Sequence, residues 1–256
     1  MRRTCTWHVV PGWLTPEGHM ITTIFSGNSR IEKSILAVNL AAWRVRQGHS
    51  VLVLDAEVQR HAFLWNVRRG GRQMLQHLAV APVLDRSLYA ELEKLNTSCQ
   101  DLVIDVDGLD DADTRTALVA AQMVVVPLCA QAPDKQVEAC ATAFLERAQL
   151  FNPLLRVVLA VIEGQDADTV GAFASAHAMA RRLRSASVTQ TVLHDSAAIR
   201  GAFRKGQMIV EVENECPDAF AELEVLGIEV FGEPGTISVA GPNLRAAMVR
   251  LRAWQQ

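Results

Sequence analysis

The chain has 256 residues, 50% of them hydrophobic and 21% charged, which is enough apolar material for the one large core of a single α/β domain. A formal net charge of −3 excludes a surface built throughout for nucleic acid and confines any such contact to a local patch. Five cysteines (Cys5, Cys99, Cys129, Cys140, Cys216) are odd in number and form no CxxC pair, so neither a disulfide framework nor a zinc site is expected, in keeping with a reducing cytoplasm.

No apolar run reaches the roughly 18 residues that a membrane-spanning helix needs. Residues 1–19 carry Pro11, Gly12, Pro16 and Gly18 and lack the continuous apolar stretch of a leader peptide. They are expected to form an N-terminal extension outside the fold, with one α/β domain over residues 20–256.

The first strand is expected at Ile21–Phe25. A polar loop, Ser26–Glu32, follows, and then Ile35, Leu36, Val38, Leu40, Ala41 and Val45 recur at helical spacing until Gly48. Val51–Leu54 is β-branched and apolar without alternation, the pattern of a buried parallel strand, and it ends in Asp55. The rhythm continues with helical segments around Gln73–Leu78 and Ala90–Leu95, strand Leu102–Val106, helix Thr114–Ala121 and strand Met123–Pro127. Helix Lys135–Phe151, strand Arg156–Ile162, helix Val170–Arg184, strand Val188–Leu193 and helix Ala197–Lys205 complete the alternation. Such a succession predicts a mostly parallel sheet with helices on both faces. At the end of the chain, Ile228–Phe231 and Thr236–Ala240 suggest a hairpin, followed by a helix from Asn243 to Trp254.

In open α/β sheets ligands bind beyond the carboxyl ends of the strands, which directs attention to the loop after the first strand. It reads Gly27, Asn28, Ser29, Arg30, Ile31, Glu32, Lys33, Ser34. The first glycine, the lysine and the hydroxyl match the phosphate-binding pattern GxxxxGK(S/T) at the right spacing. Glu32 takes the place of the second glycine and adds a carboxylate close to the lysine, which opposes phosphate binding, while Arg30 and the helix N-terminus favour it. Two readings stay open: a weakened phosphate site, or a loop kept because Ser29 and Glu32 start a helix well.

Around this loop the chain resembles the ParA/MinD family of deviant-Walker P-loop ATPases, which position plasmids, chromosomes and cell machinery. Met20–Trp65 is similar to the family's opening strand, KGGVGK(S/T) loop, AVNLA helix and DxDPQ strand end, with AVNLA matched letter for letter at Ala37–Ala41. DLVIDVDG (Asp101–Gly108) resembles the Walker B strand, VVVPLCAQAPD (Val124–Asp134) the VPVxPSxxD segment, and VLHDSAAIRGAFRKGQMIVEV (Val192–Val212) the last core strand and helix.

The resemblance implies ATP or ADP with Mg²⁺ as ligand. Gly27–Ser34 would cradle the phosphates, Lys33 would meet the β/γ-phosphates, Ser34 and Asp105 would serve the metal, and Asp55 would lie near the attacking water. The departures work against hydrolysis. Asn28 stands where the family's signature lysine crosses a nucleotide-sandwich dimer, Ser29 and Arg30 replace its glycine pair, Glu57 replaces the second acid of DxDPQ, and Val58 replaces the proline. Loss of a lysine that stabilises phosphoryl-transfer charge removes several powers of ten in rate.

The resemblance further implies a homodimer, a ParB-like or other adaptor protein, a cytoplasmic or nucleoid-associated location, and non-specific DNA held through Arg181, Arg182, Arg184, Arg200, Arg204 and Lys205. A membrane partner is not expected, and the basic stretch Arg245, Arg250, Arg252 with Trp254 is expected to pack on the domain. Asp107, Asp110, Asp111 and Asp113 are read as a solvated acidic loop, and His194 beside Asp195 as a strand-end histidine. The leading functional expectation is a partition or positioning protein. The alternatives are a non-hydrolysing scaffold that places a secretion, conjugation or surface machine, and a synthetase or reductase of the same superfamily.

Overall fold

Apolar runs too uniform to face water on either side build the centre of the molecule. The computed structural model describes residues 20–27, 31–70, 78–84, 87–95, 101–108, 111–130, 135–163, 168–232 and 254. In chain order the elements are β1 (Met20–Ile24), α1 (Ile31–Arg46), β2 (Val51–Ala56), α2 (His61–Arg69), β3 (Leu78–Pro82), α3 (Leu88–Leu95), β4 (Asp101–Val106) and α4 (Ala112–Ala120). There follow β5 (Met123–Cys129), α5 (Lys135–Phe151), β6 (Arg156–Glu163), α6 (Thr169–Arg182), β7 (Ala186–His194), α7 (Ala197–Arg204), a 3-10 turn (Ile209–Glu211) and α8 (Pro217–Phe231).

The seven strands form one all-parallel sheet in the order β3-β2-β4-β1-β5-β6-β7. Successive strand residues point to opposite faces, so β4 and β6 divide their side chains between two cores. Ile104, Val106, Leu159 and Val161 join α4, α5 and α6 on one face, whereas Val103, Val158 and Ala160 join α1, α7 and α8 on the other. Trp254 belongs to the first core and stacks on Phe151 of α5 at 5.2 Å between ring centroids. Arg245, Arg250 and Arg252 lie outside the described residues, as do residues 1–19. Cys129, Cys140 and Cys216 form no disulfide, and among the described residues no helix is long and apolar enough to cross a membrane.

Three expectations change. Residues 73–77, expected to be helical, lie outside the described residues, and Leu78 opens a strand, β3, that pairs with β2. Helix α2 fills a stretch for which no element was expected. Ile228–Phe231, expected as a strand, is the last turn of α8, while Thr236–Ala240 lies outside the described residues. Helix α8 runs beside the exposed edge of β7, and its carboxylates serve backbone donors there. Glu229 accepts from Gln190 N and Thr191 N (2.7 and 3.0 Å), and Glu222 accepts from His194 N (2.9 Å). Seven residues of helix and three of strand both rise about 10 Å, which is why Glu222 and Glu229 reach donors three residues apart on β7.

Candidate functional site

The pairing register brings the expected site residues together. Ile24 of β1 and Asp55 of β2 both lie opposite Asp105 of β4, so three strand ends meet where the order of connections reverses. Gly27 follows β1 directly. A Cβ there would stand 2.6 Å from Val137 Cγ1 and 2.9 Å from the Val137 carbonyl, so the packing of α5 demands this glycine whatever the loop binds. Lys33 and Ser34 sit in the first turn of α1, where free N–H groups and the helix dipole favour negative charge.

Asn28, Ser29, Arg30 and the side chain of Ile31 lie outside the described residues. Lys33 is fully buried. Its Nζ donates to the Asp107 carbonyl at 3.0 Å and lies 3.4 Å from Glu57 Oε1. Ser34 Oγ donates to Asp105 Oδ2 at 2.5 Å and lies 3.4 Å from Glu57 Oε2. Glu57 is also held by His61 Nδ1 at 2.6 Å. The carboxylate that meets the lysine is therefore Glu57. Glu32 is half-buried on α1, and its charge contributes to raising the Asp195 carboxyl above its usual range, behind desolvation by burial and against Arg200.

Asp105 has no solvent exposure, and among the described residues its Oδ1 has no hydrogen-bond partner. Burial, reinforced by the charges of Glu57 and Asp55, raises its pKa well above the usual value. Asp55 is buried too, and burial raises its pKa although its oxygens accept from Glu57 N (3.0 Å) and Phe63 N (2.7 Å). The bond from Phe63 N, in the first turn of α2, makes Asp55 the acceptor that starts that helix. Arg60, whose backbone is left-handed at φ 54, provides no side-chain cap there.

In the acidic segment after β4 the expectation of a solvated loop fails for Asp107, which is buried, while Asp111 is exposed. Asp107 is buried and its Oδ2 accepts from Val58 N at 3.2 Å, Asp111 caps α4 by accepting from Thr114 N, and Asp113 accepts from Leu88 N. Asp110 lies outside the described residues. His194 ends β7 as expected and is exposed, bonded to Glu222 at 2.6 Å.

The six basic residues form two groups. Arg181 and Arg182 close α6 and Arg184 follows, in the layer that contains α5; Arg200, Arg204 and Lys205 belong to α7 and its C-cap, in the opposite layer. Arg182 is paired bidentately with Glu146 (2.9 and 2.8 Å) and Arg200 is paired with Asp195, while Arg204 and Lys205 are exposed.

The orphan oxygen of Asp105 beside the Ser34 hydroxyl is a hard-oxygen pair of the kind Mg²⁺ takes together with phosphate and water. No group of three or more His, Cys, Asp or Glu side chains among the described residues could hold a metal alone. The metal half of a nucleotide site thus fits, whereas the lysine of the phosphate half is already engaged. His61 and Asp107 were missed as members of this site. The only signal for His61 was its position four residues after Glu57, one helical turn away.

No family model matches the chain, and no curated protein matches it. Solved structures do. Apo McdA from Cyanothece superposes with a TM-score of 0.65 at 16% identity, over 84% of this chain and 100% of that one. MinD from Pyrococcus horikoshii, solved with Mg-ADP, gives 0.59 at 16% identity over 86% and 100%. A putative plasmid partition protein from Borrelia burgdorferi, bound to AMPPNP, gives 0.58 at 14% over 82% and 99%. At these identities the likeness is one of fold: the chain has the ParA/MinD-type P-loop α/β fold.

Proposed function

We propose that this chain is a ParA-like positioning protein whose nucleotide site is held in a resting, self-neutralised state. The observation that supports this reading is the convergence of Lys33, Ser34, Asp55 and Asp105 at the carboxyl ends of β1, β2 and β4. ATP or ADP with Mg²⁺ is the ligand: Ser34 and Asp105 would hold the metal, and Lys33 would meet phosphate once it parted from Glu57. The bound group would supply negative charge and a metal bridge. The chain's own residues supply a buried lysine, a hydroxyl and a helix N-terminus to orient them.

Hydrolysis is slow or absent in this reading, because Asn28 replaces the lysine that would act across a dimer and Asp55 is occupied by two backbone donors. The cargo would be held by a homodimer through an adaptor. Duplex DNA would be contacted through Arg204 and Lys205, the exposed basic residues of α7 and its cap. A scaffold that never takes nucleotide is the second reading, favoured by the Lys33–Glu57 pair.

Equilibrium binding of a fluorescent ATP analogue with Mg²⁺ separates the two readings. Saturable binding to the wild-type chain that Lys33→Ala abolishes supports the nucleotide site. Equal failure of both proteins to bind would leave the scaffold.

A further inference from the structure

At the end of the sheet opposite Lys33, the last turns of α5 and α6 enclose an open cleft of about 360 Å³ lined by Ala143, Glu146, Arg147, Leu150, Arg182 and Arg184 around Gln149. Gln149 is buried and uses both ends of its amide. Nε2 donates to the carbonyls of Leu155 (3.1 Å) and Ser185 (3.3 Å), and Oε1 accepts from Arg184 N (2.9 Å). One side chain thereby ties together α5, the turn before β6 and the link between α6 and β7. The cleft is preorganised.

Charge is segregated here. Residues 143–156 and 177–187 contain five arginines, Arg147, Arg156, Arg181, Arg182 and Arg184, against one acid, Glu146, in a chain whose net charge is −3. Glu146 is spent on Arg182. Beside these cations, Leu150 is 62% exposed and Leu154, in the turn that follows α5, is 67% exposed. A wall that pairs guanidinium groups with bare leucines is complementary to carboxylates carried next to apolar side chains.

We propose that this cleft docks an acidic, amphipathic segment of a partner protein, with its carboxylates on Arg184 and Arg147, which line it, and its apolar side chains over Leu150 and the neighbouring exposed Leu154. Duplex DNA fits less well, because phosphate contacts gain nothing from exposed leucines and Glu146 stands within the cleft. The concave shape likewise suits an inserted side chain better than a flat bilayer. This site is independent of the nucleotide reading.

The test is fluorescence anisotropy of a fluorescein-labelled amphipathic helical peptide, with leucines on one face flanked by glutamates, titrated with the full chain. Saturable binding is expected. It should weaken by about tenfold or more in Leu150→Ser/Leu154→Ser and in Arg184→Glu, with each of these surface variants retaining the wild-type circular dichroism and melting temperature. Absence of saturable binding overturns the proposal, as does binding indifferent to the leucine substitutions. It also falls if duplex DNA or phosphatidylglycerol vesicles bind through Arg184 while the peptide does not, since the surface would then be a phosphate reader.

Discussion

Glu57→Gln isolates the group that sets the resting state of the site. The substitution keeps the shape and removes one charge 3.4 Å from Lys33 Nζ. A phosphate oxygen at hydrogen-bond distance from Nζ would lie about 5 Å from the Glu57 carboxylate. At an effective dielectric constant near 20, each pair of unit charges at that separation repels by about 3 kcal/mol. Removing the repulsion predicts nucleotide affinity increased by roughly two powers of ten. The same change leaves a buried ammonium with the Asp107 carbonyl as its hydrogen-bond acceptor. The empty protein should therefore lose about 3–5 kcal/mol, a fall in Tm of roughly 6–20 °C for a chain of this size. Saturating nucleotide should restore much of that loss through linkage. The assay is titration with a fluorescent ATP analogue and Mg²⁺, paired with thermal denaturation with and without nucleotide. A variant that binds no tighter than wild type and melts at the same temperature would refute the idea that Glu57 neutralises the lysine.

Asp105 carries a pH prediction whose sign follows from burial. Its folded pKa is raised well above the ordinary 3.8, so between those two values the native state holds a proton that the unfolded chain has lost. Stability from this group is complete below about pH 3.8 and is lost as pH rises through the folded pKa. Asp105→Asn should flatten that decline and melt no lower than wild type at neutral pH; uniform destabilisation at every pH would show that the bond from Ser34 outweighs the buried charge. For DNA, Arg204→Glu/Lys205→Glu should weaken duplex binding evenly across sequences and lower the slope of log K against log salt by about 2, as two lost phosphate contacts require. An unchanged slope would remove α7 from the interface.

The strands were legible because burial on both faces leaves no room for alternation, and Val51–Leu54 and Met123–Pro127 read as continuous apolar runs, with Leu102–Val106 interrupted only by Asp105. Helix α2 was not legible. It starts after Arg60 with no side-chain cap, and the acceptors that begin it belong to Asp55. β3 is a short edge strand, LAVAP, whose alanines and proline carry little strand preference. Helix α8 begins with Pro217 at its first position and Asp218 in its first turn, but the β-branched residues of Ile228–Phe231, just after Gly227, read as a strand. The structure supplies the reason for that glycine. A Cβ at Gly227 would stand 2.4 Å from the Trp43 ring, which is stacked on Phe231. In the site, Lys33, Ser34, Asp55 and Asp105 were legible because motif spacing survives in one dimension. The engagement of Lys33 by Glu57 and Asp107, with His61 holding Glu57, was not, because it depends on how β2 and β4 present their ends to each other.

The same network determines what phosphate would have to move. Glu57 lies in the turn between β2 and α2, and that turn is fastened at three points: to Asp55 through Glu57 N, to Asp107 through Val58 N, and to His61 through the carboxylate. Withdrawing Glu57 from Lys33 therefore disturbs the start of α2. Helix α2 is in turn bound firmly to the segment after α7. Trp65 stacks on Phe203 at 6.2 Å and donates to the Gln207 carbonyl, Arg69 pairs with Glu211 at 2.5 Å, and a Cβ on Gly206 would lie 2.4 Å from Arg69 N. Contacts this close transmit a displacement rather than absorb it. Glu57 thus does more than neutralise a lysine: it anchors the turn that leads into α2, and α2 packs in turn against α7, whose exposed end carries Arg204 and Lys205.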